Sequence, residues 1–298
     1  MRQEKGFSKY FDFVSNFAHL EINLGSESEC GQYHERWMRV YGAAMAAWAD
    51  YDAVMWCVRV RQSLKLCFSA TYFALVANQT REQGSLAASY YMAYYASMHA
   101  MWAVMYLHPN ESVDKITDIT HSKMANAFYS GFSQGNTPII RMNSKELVED
   151  LRFLREYYSY RMPLNPPFGK EEAISKAHAS LGGFVKQCIQ LANLHSHLIY
   201  KAARKAKVSS ATVAVDKWME FQNDFFRING KEHGSRGLRI LDPADKRAEA
   251  ELLSTGGDLL PISIQYDHMF DEYMTYVRED ASEEILRKVR SLVFRALF

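Results

Sequence analysis

Ten histidines and thirty-five lysines and arginines hold most of the chemistry this chain has to offer. A neutral imidazole can move a proton near pH 7, and cationic side chains can hold a phosphate. His195 and His197 stand two residues apart, which on a helix turns them about 200° from each other, too far to share a metal ion. His268 and Glu272 are one helical turn apart, but the sequence supplies no third ligand, and neither a P-loop nor a GxGxxG motif occurs. No metal and no cofactor is expected. Lys201, Arg204, Lys205 and Lys207 cluster near the end of a long helical segment, where cations complement the negative end of the helix dipole and could also contact RNA. Lys231 and Arg236, beside Arg239, lie in a glycine-containing polar stretch over 228–243 and are candidate phosphate contacts. His99, surrounded by aromatic residues, reads as a hydrogen-bonded core histidine, with a tyrosine hydroxyl as its natural partner. His121 follows Thr120 at a helix start.

The elements that must position these groups are helical. Seven prolines, fifteen glycines and the lack of a hairpin signal between alternating runs leave long helix-period segments dominant. Helices are predicted over 7–20, 33–49, 51–79, 85–107, 116–133, 144–161, 170–206, 210–227, 244–254, 264–279 and 282–296, with breaks at 25–31, 108–110, 135–138, 162–169 and 228–243. The segment from Ser85 to Leu107 is alanine-rich and apolar or aromatic on nearly every side, as expected of a buried central helix. Its serines, His99 and its tyrosine and tryptophan rings make it a poor membrane span. The final helix alternates Arg287, Lys288, Arg290 and Arg295 with apolar residues and is expected to pack on the body.

With 48% hydrophobic and 13% aromatic residues the chain is globular. Its net charge of +1 provides no global attraction to nucleic acid or acidic membrane, so any such contact must come from a local patch. Cys30, Cys57, Cys67 and Cys188 show no CxxC spacing, and the amino terminus lacks an apolar signal core. Buried thiols and a cytoplasmic location are expected. Three regions are expected: a helical extension over 1–84, a helical bundle over 85–206, and a helical region over 207–298 that carries the polar stretch.

Tyr94-Tyr95-Ala96-Ser97-Met98-His99-Ala100 resembles the tyrosine-rich first helix of small HEPN-domain proteins. His121-Ser122-Lys123 with Phe128 and Phe132 is similar to that family's second helix. Leu154-Arg155-Glu156-Tyr157-Tyr158-Ser159-Tyr160 is similar to its arginine-bearing third helix, and Glu171-Glu172-Ala173 through Phe184-Val185 to its last. The match covers about 85–192. It implies an all-α fold, an antiparallel four-helix bundle here extended by helices at both ends, and a homodimer or another protein partner. Active members are metal-independent endoribonucleases, and the family's usual settings are stress response, toxin–antitoxin pairs and phage defence.

The family's working pair is an arginine followed by a histidine, the first to stabilise charge on phosphorus and the second to move a proton. Here Arg155 holds the arginine position, but Tyr160 stands where the histidine belongs, followed by Arg161, and Ser159 replaces the usual acid. A tyrosine with a pKa near ~10 is a poor base at neutral pH. Arg227 and His233 have the right spacing elsewhere but fall outside the matching region. An RNA-binding or protein-interaction role is therefore expected first. An endoribonuclease built from Arg155, Tyr160, Arg161 and His121 is the alternative, and an unrelated helical subunit the third reading.

Overall fold

The computed structural model describes residues 6–48, 52–112, 115–116, 119–161, 163–169, 171–206, 259–277 and 283–298. Lys231, Arg236, the Arg227–His233 pair, the polar stretch over 228–243 and the helices expected over 210–227 and 244–254 lie outside the described residues. Among the described residues every regular element is helical. In chain order the α-helices are α1 (Ala18–Leu24), α2 (Glu27–Met45), α3 (Asp52–Glu82), α4 (Leu86–Met105), α5 (His121–Phe128), α6 (Ser144–Tyr160), α7 (Glu171–Ala206), α8 (Ile262–Val277) and α9 (Glu283–Leu297), with a π-helical turn at Tyr129–Ser133 after α5.

Local chemistry sets several of these starts. Ser26, Thr120 and Asn143 each accept a hydrogen bond from the backbone N–H three residues on, at 3.2, 3.4 and 3.2 Å, and so cap α2, α5 and α6. The break predicted over 25–31 shrinks to Gly25 and Ser26, because that cap lets α2 begin at Glu27 and absorb Cys30 and Gly31. Gly25, at φ 84°, closes α1 in the left-handed region.

Side-chain pairs fix how the long helices run. Ser63, Ser69 and Ser89 hydrogen-bond Ala103, His99 and Ala77 respectively, so α3 and α4 lie antiparallel along most of their length. Tyr158 stacks on Tyr90 and Arg155 on Tyr94, which sets α6 antiparallel to α4. His178 meets Ser89, while His195 and the carbonyl of Leu107 share Tyr41, so α7 runs parallel to α4. Buried side chains from Phe7 to Leu297 form one continuous cluster. α9 turns Val289, Val293, Ala296 and Leu297 into it and buries Leu286 as well. Its Arg287, Lys288 and Arg290 point outward and pair with Glu283, Glu284 and Asp267.

The middle of α7 departs from the apolar-core rule. Gln190, Asn193, His195, Ser196 and His197 are all buried, and each reaches a partner on another segment or within its own helix. Tyr33 and Tyr41 bind the two ring nitrogens of His195, each at 2.8 Å. Nε2 of His197 lies 2.9 Å from the Ser15 hydroxyl and 3.1 Å from that of Ser263. Asn193 and Ser196 accept from the backbone N–H groups of Ser263 and Ile262, satisfying donors that the first turn of α8 would otherwise leave bare.

This polar row also explains a difference from the sequence. A helix is predicted over 7–20, but the chain makes one short turn at Ser8–Tyr10 and then an irregular arm up to α1. The arm's polar groups are claimed elsewhere: Tyr10 O accepts from Lys201, Ser15 bonds His197, and Asn16 N–H donates to Leu297 O at 2.8 Å. No described helix is long and apolar enough to cross a membrane. All four cysteines are free thiols, and Cys30, Cys67 and Cys188 are buried.

Candidate nucleic-acid interface

The two tyrosine pairs of α4 divide between core and surface. Tyr90 and Tyr94 turn inward and are each 1% exposed, whereas Tyr91 is 45% exposed and Tyr95 half-buried. The expectation that α4 is buried on every side therefore fails along one line. Steps of four, four and three residues align Tyr91, Tyr95, His99 and Trp102 on one face. Successive ring centroids along it lie 4.8, 6.2 and 6.0 Å apart. Phe73 of α3 and His121 of α5 pack against these rings, and Tyr95, His99 and Trp102 stay partly exposed.

Beside the stripe, three side chains from three helices meet on one ring. The Tyr94 hydroxyl lies 2.7 Å from Nδ1 of His121, at the start of α5. The Arg155 guanidinium carbon sits 4.5 Å from the Tyr94 ring centroid. The His121 ring also packs edge-on against Tyr95 at 5.9 Å and Trp102 at 5.6 Å, joining the cluster to the stripe. Arg155 donates to Glu156 Oε1 at 3.4 Å, and Arg152 to the same oxygen at 3.1 Å, so one carboxylate holds two arginines. Buried Nε of Arg155 has no hydrogen-bond partner among the described residues.

The protonation states follow from these surroundings. Burial, then the charges of Arg155 and Arg152, push the His121 pKa down, so the ring is neutral at pH 7. Burial raises the Tyr94 pKa against the pull of the same two arginines, so the phenol keeps its proton. That buried proton needs an acceptor, and Nδ1 of His121 is the one in reach. The imidazole proton then sits on Nε2. His121 consequently offers a donor outward, suited to a phosphate or carbonyl oxygen, and its basic nitrogen is already occupied.

The remaining candidate residues are spread over the molecule. Tyr160 is 77% exposed and Arg161 is exposed just past the end of α6. Their place in the cluster is peripheral. Burial and the adjacent Tyr91 raise the Tyr95 pKa first, Arg155 draws it down, and Tyr160 pushes it up. His99 bonds the Ser69 hydroxyl at 2.7 Å instead of a tyrosine, and burial followed by the neighbouring His121 lowers its pKa to about 4. Lys201 donates to the Tyr10 carbonyl, and Arg204 reaches Asp12 at 3.2 Å and the Tyr200 hydroxyl at 3.1 Å, so both tie the amino-terminal arm to α7. Lys205 is exposed on the next turn. At 1.5 Å per residue these cations lie roughly 30 Å along α7 from the level of Tyr94.

His268 pairs with Glu272, which Arg61 also holds at 2.8 Å, a structural ion pair between α8 and α3. No group of three or more His, Cys, Asp or Glu side chains suited to a metal ion occurs among the described residues. Sequence reasoning missed Tyr94 as the hub and Arg152 and Glu156 as its neighbours. The four-residue spacing of Arg152 and Glu156 was the one signal available for them. Comparison with known proteins finds no matching family model, no matching curated protein and no matching solved structure.

Proposed function

We propose that the chain is an RNA-binding component that holds single-stranded RNA on the α4 stripe, with bases stacked on Tyr91, Tyr95 and Trp102 and phosphates on Arg152, Arg155 and His121. The observation that carries this reading is the row of one exposed and several half-buried rings running beside two arginines and a neutral imidazole. Stacking on aromatic rings is worth about 1–3 kcal/mol per base and tolerates any sequence, while cations beside the rings track the backbone. A net charge of +1 suits this local arrangement, since the attraction comes from the patch and not from the whole chain. The HEPN resemblance, with its dimeric assembly and its stress-response, toxin–antitoxin or defence setting, belongs to the same proposal.

A second reading, metal-independent cleavage of RNA, is favoured by the meeting of His121 and Arg155 on one tyrosine ring. The tautomer fixed by Tyr94 weighs against it, because a general base needs its acceptor nitrogen free. Labelled single-stranded RNA incubated with the protein in EDTA separates the two. Retardation of intact RNA, weakened by Arg155→Ala and strengthened by Glu156→Gln, supports binding. Cleavage that disappears in both Arg155→Ala and His121→Ala supports the second reading, and neither retardation nor cleavage rejects both.

A further inference from the structure

α2 and α7 cross at His195, where Tyr33 and Tyr41, two turns apart on α2, grip the same imidazole. Two straight helices that touch at a crossing diverge on either side of it. On the side of the α7 carboxy terminus this leaves an open groove of about 910 Å³, within the range of small-molecule sites at roughly 300–1,000 Å³. Met38, Gly42, Ala202 and Ala206 give it apolar walls. Arg39, Lys201 and Lys205 stand on its rim against a single acid, Glu35.

The groove also contains His34, 9% exposed, stacked on Tyr10 at 4.1 Å with the rings 10° from parallel. The stack occupies a face of the imidazole and leaves its edge, which carries both nitrogens, without a hydrogen-bond partner among the described residues. Burial, and after it the Lys201 charge, hold its pKa down to about 4, so at pH 7 the ring is neutral and carries one N–H donor. A buried polar edge without partners is a cost that an apolar residue would not incur; both nitrogens are closed to solvent, so a ligand head meets them once the ring turns its edge to the groove.

We propose that this groove binds a small amphipathic anion, with an apolar chain along Met38, Gly42 and Ala202 and a carboxylate or phosphate head held by His34 N–H, Arg39 and Lys205. Three cations against one acid select a negative head over a positive one. The apolar walls select a hydrocarbon body over a sugar or a nucleotide. The site stands at the opposite end of α7 from the Tyr94 cluster and does not depend on the RNA reading.

Isothermal titration at pH 7 of the full chain with decanoate and with decyl phosphate, each kept below its micelle concentration, tests this, with decanol as the neutral comparator. Both anions are expected to bind at least tenfold more tightly than decanol, and the tighter of the two identifies the head group. His34→Phe keeps the stack on Tyr10 and is expected to cost tenfold or more for the anions while sparing decanol. A Cβ at Gly42 meets nothing within 4 Å, so Gly42→Phe fills the groove without a backbone clash and is expected to abolish binding of all three. Lys205→Glu, at an exposed position, is expected to weaken only the anions and keeps the test decisive if either other variant folds poorly. Absence of binding to the wild type, equal affinity for decanol and decanoate, or unchanged binding in Gly42→Phe would each overturn the proposal.

Discussion

Tyr41→Phe deletes one oxygen and should cost more than its size implies. The Tyr41 hydroxyl is fully buried, lies 2.7 Å from Leu107 O and 2.8 Å from Nδ1 of His195. A phenol has one proton, and a carbonyl can only accept, so Tyr41 donates to Leu107 and must accept from His195. Nδ1 of His195 therefore carries the ring proton, and Nε2 accepts from the Tyr33 hydroxyl at 2.8 Å. The chain of donors runs from Tyr33 through His195 and Tyr41 to the end of α4. Removing the middle hydroxyl strands two buried groups, the imidazole N–H and the Leu107 carbonyl, at about 1–3 kcal/mol each. Tyr33→Phe strands only Nε2. The expected losses are roughly 2–6 kcal/mol for Tyr41→Phe and about 1–3 kcal/mol for Tyr33→Phe, with the first about twice the second. Urea unfolding followed by circular dichroism measures both, with an unchanged m-value showing that the change lies in stability. If Tyr33→Phe proves equal or worse, or if both fall within about 0.5 kcal/mol of wild type, the assigned proton direction is wrong.

Two other outcomes follow from buried groups. His34, His99 and His178 are held down to about 4 and His197 to about 3, and His195 lies well below its ordinary value, each chiefly by burial. The unfolded chain binds more protons than the folded one below the ordinary histidine pKa, so stability is complete above pH ~6.5 and falls as pH drops towards 4. Unfolding free energies between pH 6 and 5 should change by more than about 1.4 kcal/mol per pH unit, the value for a single such group, and a shallower slope would contradict this. Arg59, 5% exposed, stacks on Trp56 at 4.0 Å and donates to the carbonyls of Tyr106, His108 and Glu111. Arg59→Lys loses the planar fork and should cost about 2–3 kcal/mol. Hydrogen exchange at residues 108–111 should accelerate with it, and unchanged protection there would show that Arg59 does not hold this turn.

How much of this was legible depends on the distance between partners. The helices could be read because alanine, helix-period apolar residues and capping residues act locally, as at Asn143, where the helix begins as predicted; the cap at Ser26 starts α2 six residues before the predicted helix. Which of Tyr94 and Tyr95 faces the core could not. Adjacent residues on a helix differ by about 100°, and the choice is made by α3 and α6 packing onto α4. The contact of Tyr94 with His121 spans 27 residues and that of Tyr94 with Arg155 crosses to another helix, so neither leaves a spacing signature. The arm before α1 falls within the helix predicted over 7–20. Its actual path is set by His197 and Lys201, 182 and 191 residues from their partners, and by Leu297 at the far end of the chain. Likewise, nothing local marks Gln190, Asn193, His195, Ser196 and His197 as buried; Ser15, Tyr33, Tyr41 and Ser263, which bond the two histidines, come from distant segments.

The proposed RNA surface rests on the α4 rings, and Tyr95 lies at their centre, half-buried against the core. Fluorescence anisotropy of a labelled single-stranded RNA in EDTA, titrated with wild type and with Tyr95→Ala, tests it most directly. Loss of one stacked base at about 1–3 kcal/mol predicts an affinity at least fivefold weaker for Tyr95→Ala, with the helical circular dichroism spectrum of the wild type retained. Equal affinity in a folded Tyr95→Ala protein, or no RNA binding by the wild type at low salt, would contradict it.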